Sequence, residues 1–90
     1  VKLEVEENYL IPIQKEGMVV YIGEKENYGN VVIIEGLDGI DIWYGNIETI
    51  SVKLYDYVET GKYLGTAKDN NLYLVYQQNG KFLNYKEYLK

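Results

Sequence analysis

Apolar residues in this chain come in short, alternating or continuous runs that end in glycine, asparagine or aspartate. The runs are "KLEVE" (2–6), "GMVVYIG" (17–23), "NVVIIE" (30–35), "IDIWY" (40–44), "YLGTA" (63–67) and "LYLVYQ" (72–77). A period of two with β-branched and tyrosine residues is the mark of a strand, because successive side chains leave a strand on opposite faces. Between the runs lie "ENYGN", "LDGI", "VETGK" and "KDNN", and "QNGK" (78–81) is the strongest hairpin signal of all. No window of helical length carries a 3.6-residue period; only the closing "YKEYLK" predicts a single exposed helical turn. Many closely spaced strands predict an all-β chain folded as a small β-sandwich or barrel, with glycines at the corners.

Composition decides which chemistry such a fold can host. Its 90 residues include no cysteine and no histidine, so thiolate chemistry, disulfides, the commonest metal ligand and the commonest general base near neutral pH are all missing. No cofactor and no metal are expected. Ninety residues make one domain spanning 1–90, of a size that buries about 60% of its unfolded surface. The formal charge is −5 and every basic residue is a lysine, none clustered, so the averaged field repels phosphate backbones and nucleic acid is excluded as a partner. No run approaches the roughly 20 apolar residues that span a bilayer.

Several residue groups invite a functional reading and carry a plainer one. Asp38 and Asp41 are a carboxylate pair, but Asp38-Gly39 reads as a hairpin turn, without the spacing of a calcium loop. Lys68 and Lys81 lie near turns, as a biotinyl or lipoyl carrier lysine would, and "VKLYDYVETGKYLG" (52–65) has the rhythm of a barrel-sandwich corner. Neither lysine has the neighbours that modifying ligases read. Eleven tyrosines beside one phenylalanine must serve the core in part, and the remainder suit a protein interface or a sugar-stacking surface. In "NNLYLV" (70–75) period two puts Asn71, Tyr73 and Val75 on one face and Leu72 and Leu74 on the core face.

Taken in order, the blocks "GMVVYIG", "YGNVVIIEGLDGIDIWYGNI", "VKLYDYVETGKYLGTA" and "NLYLVYQQNGKFLNYKEYL" resemble the LytM-type, or lysostaphin-like, zinc endopeptidases from about Gly17 to Leu89. The resemblance implies the duplicated hybrid-motif form of the β-fold and a cleft that, in those enzymes, holds zinc between His-x-x-x-Asp, Tyr-x-His and His-x-His motifs. Here "YGN" keeps Tyr44 and puts Asn46 at the histidine, and "NLY" puts Asn71 and Tyr73 at the two histidines of the last motif. Glu4 is the candidate match for the first motif's aspartate. Asparagine is a poor zinc ligand and tyrosine, ionising near pH 10, is a rare one at neutral pH. The resemblance therefore implies a degenerate, non-catalytic domain whose candidate binding residues are Tyr44, Asn46, Asn71 and Tyr73.

Within the family, "WYGN" and "VKLYDYV" look most like a membrane-anchored, non-catalytic relative of endospore-forming bacteria. That likeness implies a regulatory role: restraint of an intramembrane metalloprotease inside a sporulation complex, through protein partners, on the extracytoplasmic side of a membrane. A start at Val1 is consistent with an excised soluble piece of a longer, membrane-anchored protein. The alternative is a module that binds peptidoglycan or another glycan without cleaving it.

Overall fold

The computed structural model describes residues 1–84, and the helical turn expected for the closing "YKEYLK" lies outside them. Ten strands follow in order: β1 (Lys2–Glu4), β2 (Leu10–Pro12), β3 (Gly17–Lys25), β4 (Gly29–Gly36), β5 (Ile40–Gly45), β6 (Ile47–Ile50), β7 (Tyr57–Val58), β8 (Tyr63–Ala67), β9 (Asn71–Gln78) and β10 (Lys81–Phe82). All six runs expected as strands are strands. β10 is the short second strand of the hairpin expected at "QNGK", and β2, β6 and β7 are additional, each too short to show a period.

The larger sheet runs β1-β9-β5-β4-β3-β7, with β10 also pairing β9; the smaller is β2-β8-β6, and all pairings are antiparallel. Alternation fixes which side chains lie between the sheets. Val19, Ile34, Ile42 and Tyr76 form one cross-strand row, and Val32, Tyr44 and Leu74 the next. Both rows join Ile11, Ile47, Leu64 and Ala67 of the smaller sheet in one buried cluster. Gly65 lets the small sheet close, since a Cβ there would lie 1.9 Å from the Thr49 carbonyl oxygen.

The turns carry the chemistry their sequences promise. In the β9–β10 hairpin Asn79 and Gly80 both have positive φ, 53° and 78°, as a two-residue primed turn requires, and Gln78 pairs with Lys81. At the β4–β5 turn Asp38 Oδ1 accepts from the Ile40 N–H at 3.0 Å, and Oδ2 accepts from Lys15 at 2.7 Å. Asp38 is thus a turn and ion-pair residue, and Lys15 holds its carboxyl below the usual range. Asp41 is apart from it on β5, directly across from Glu35.

Candidate functional site

The outer face of the large sheet is built from the residues that alternate with the core. On β9 these are Asn71, Tyr73, Val75 and Gln77; Leu72, Leu74 and Tyr76 point into the core. This matches the division expected from period two. On β5 the outer residues are Asp41, Trp43 and Gly45, with Trp43 opposite Val75 and Gly45 opposite Tyr73. Glu4 of β1 lies opposite Asn71, and Lys2 opposite Tyr73.

Three of the four candidate residues come together. Asn46 sits in the corner between β5 and β6 at φ 63°, a left-handed conformation that asparagine tolerates better than most residues. Its amide donates to the carbonyl of Lys68 at 2.8 Å and to that of Asn71 at 3.0 Å. Asn71 in turn donates to the Asp69 carbonyl at 2.9 Å. Tyr73 follows two residues on, on the same face.

Tyr44 is elsewhere, which corrects the expectation that it lines the cleft. Its side chain is 0% exposed in the core, because it shares the inner face of β5 with Ile40 and Ile42. Its hydroxyl accepts from the Gln14 backbone N–H at 2.9 Å, so a buried polar atom is satisfied. Burial pushes its phenol above the ordinary tyrosine range. Tyr44 braces the strand that carries the site.

An aromatic group that no local sequence pattern marks as a unit also lies on this face. Tyr28 meets Trp43 edge-on, with ring centroids 5.9 Å apart at 80°, and meets Tyr73 the same way at 5.9 Å and 85°. Trp43 also contacts Phe82 at 6.4 Å. The Lys25 ammonium lies 4.5 Å from the Tyr21 ring centroid and 5.0 Å from that of Trp43, within cation–π range. Among these rings Val31, Ile33 and Val75 are buried although they point away from the main core. The signal for Trp43 was its place one residue before Tyr44, which puts it on the opposite face; nothing local marks Tyr28, whose turn swings it over β5.

The fit of this corner to a metal ion can be judged from its donors. The chain has neither histidine nor cysteine, and among the described residues no three acidic, histidine or cysteine side chains converge as a metal site would need. Asn46 presents an N–H₂ already donating to two carbonyls, and Tyr73 packs against another ring. These donors do not fit a zinc ion, which takes three or four imidazole, thiolate or carboxylate ligands.

Residues 1–87 match peptidase family M23. Stage IV sporulation protein FA of Bacillus subtilis is 33% identical over 75 residues, which cover 78% of this chain and 28% of that protein. The chain thus spans under a third of that relative's length. Among solved structures, lysostaphin from Staphylococcus simulans superposes with a TM-score of 0.88 at 20% identity, over 99% of this chain and 42% of its own. A chain of the SpoIIQ–SpoIIIAH pore-forming complex superposes with a TM-score of 0.75 at 21% identity, over 84% of this chain and 53% of its own.

Proposed function

Because the chain belongs to peptidase family M23, we propose that it is a non-catalytic member, a protein-interaction and regulatory module of a sporulation-type membrane complex. In this reading it acts outside the cytoplasm, on a longer membrane-anchored protein, and helps to restrain an intramembrane metalloprotease. The observation that carries the loss of catalysis is Asn46, whose amide ties the start of β9 to the β5–β6 corner through two hydrogen bonds. At a position where the resemblance puts a histidine, it offers neither a basic nitrogen nor a free lone pair on nitrogen. The sporulation setting is supported by the likeness to stage IV sporulation protein FA.

A docking role is supported by the aromatic group on the outer face beside the corner. Tyr73, Tyr28 and Trp43 are the side chains that anchor protein interfaces most often. Glycan binding is the weaker reading on the same rings, since sugars stack on open ring faces. Here the rings meet one another edge-on, and Lys25 stands over Trp43.

The test is co-purification of the tagged chain from a membrane extract against sedimentation with purified cell wall. The docking reading expects a specific membrane partner that is lost in a folded Tyr73→Asp variant, because an interface there would bury an unpaired charge. Retention by cell wall alone would replace it with the glycan reading.

A further inference from the structure

One row of the outer face lies beyond the Asn46–Asn71–Tyr73 corner. It runs across six strands, from Tyr57 on β7 through Met18, Glu35, Asp41 and Gln77 to Phe82 on β10, each residue directly opposite the next. Direct partners in antiparallel strands project on the same side, so these six side chains form one band. Its ends offer apolar surface to solvent: Met18 is 43% exposed, Phe82 65%, and Tyr57, whose hydroxyl donates to the Glu16 carboxylate, 54%.

The middle of the band is electrostatically frustrated. Glu35 and Asp41 are like charges placed directly across from each other, an arrangement that destabilises a sheet. Among the described residues the single ion pair is Lys15 with Asp38, so neither carboxylate has a lysine partner. Partial burial, and then Glu35, raise the Asp41 carboxyl above its ordinary range. The neighbouring row shows that this face accepts a cation, since the chain's own Lys25 ammonium lies over Tyr21 and Trp43.

We propose that this band docks a segment of a protein partner that presents an arginine or lysine between apolar neighbours, with the cation between Glu35 and Asp41 and the apolar flanks on Met18, Tyr57 and Phe82. A guanidinium or ammonium there relieves the carboxylate repulsion, and the flanks cover side chains now facing water. The negative net charge of the chain adds long-range attraction for a basic segment. The proposal gives the partner of the docking role its chemistry, and so rests on that role.

The probe is the blocked tripeptide acetyl-Leu-Arg-Leu-amide, titrated into the ¹⁵N-labelled chain and followed by amide shifts. Acetyl-Leu-Gln-Leu-amide serves as the uncharged control. Saturable shifts are expected at Met18, Glu35, Asp41, Gln77 and Phe82, with the control at least tenfold weaker. The near-isosteric double variant Glu35→Gln/Asp41→Asn is expected to lose the preference for arginine and to unfold at a higher temperature in the free state. Absence of saturable shifts, equal affinity for the control, or an arginine preference that survives in the double variant overturns the proposal. If membrane-partner capture remains sensitive to Tyr73→Asp while any of these occurs, the docking role stands and only the basic-segment assignment falls.

Discussion

Asn46 shows how a residue can be singled out in the sequence while its structural role stays hidden. Its place in "YGN" is where the resemblance has a histidine, and it does not reveal that Asn46 holds the corner with two hydrogen bonds at a positive φ. A typical hydrogen bond contributes about 0.5–1.5 kcal/mol, and the left-handed conformation costs a residue with a Cβ roughly 1–2 kcal/mol. Asn46→Ala should therefore cost about 2 to 4 kcal/mol in urea unfolding, with Asn46→Gly the milder of the two by about 1 kcal/mol. Equal losses would mean that the backbone conformation is not a source of strain. Tyr44 offers the complementary case: its period-two place was legible, and alternation with Ile42 should have turned it inward. Tyr44→Phe removes the acceptor for the Gln14 N–H and should cost about 1 to 3 kcal/mol, with the fold unchanged by circular dichroism.

At the scale of elements, β9 is the strand on which the account depends, pairing β5 along one edge and β1 and β10 along the other. Leu72 and Leu74 are 3% and 1% exposed on its core face, so Leu72→Ala and Leu74→Ala should each cost about 2 to 5 kcal/mol. Asn71→Ala should cost much less in the same denaturant series, since its side chain makes one exposed hydrogen bond. The reverse order would exchange the strand's two faces. The β4–β5 pair adds a pH signature. Asp41 has a folded pKa above its unfolded one, so its effect on stability is favourable at low pH and is lost as pH rises through the folded value. Asp41→Asn should accordingly stabilise the chain at neutral pH, by about 0.2–1 kcal/mol for an opposed like-charge pair. That gain should vanish below about pH 3, where carboxyls are protonated in both states. Thermal unfolding across this range reads it, and an unchanged or lowered midpoint at neutral pH would remove the repulsion from the account.

Over the whole molecule, what was legible is what short-range physics sets. Period-two runs gave six strands, Asn-Gly and Asp-Gly gave two hairpins, and the order of blocks carried the family. What escaped depends on tertiary pairing. The two- to four-residue strands β2, β6 and β7 exist through their partners, and the Tyr28–Trp43–Tyr73 group joins a turn, β5 and β9 that only the sheet brings together. The resulting fold is that of peptidase family M23, with Asn46, Asn71 and Tyr73 gathered at one corner. The most direct test is the zinc content of the purified chain, measured by elemental analysis after equilibration with zinc and removal of the excess. Far less than one zinc per chain is expected; one tightly held zinc per chain would contradict a corner unable to hold the metal.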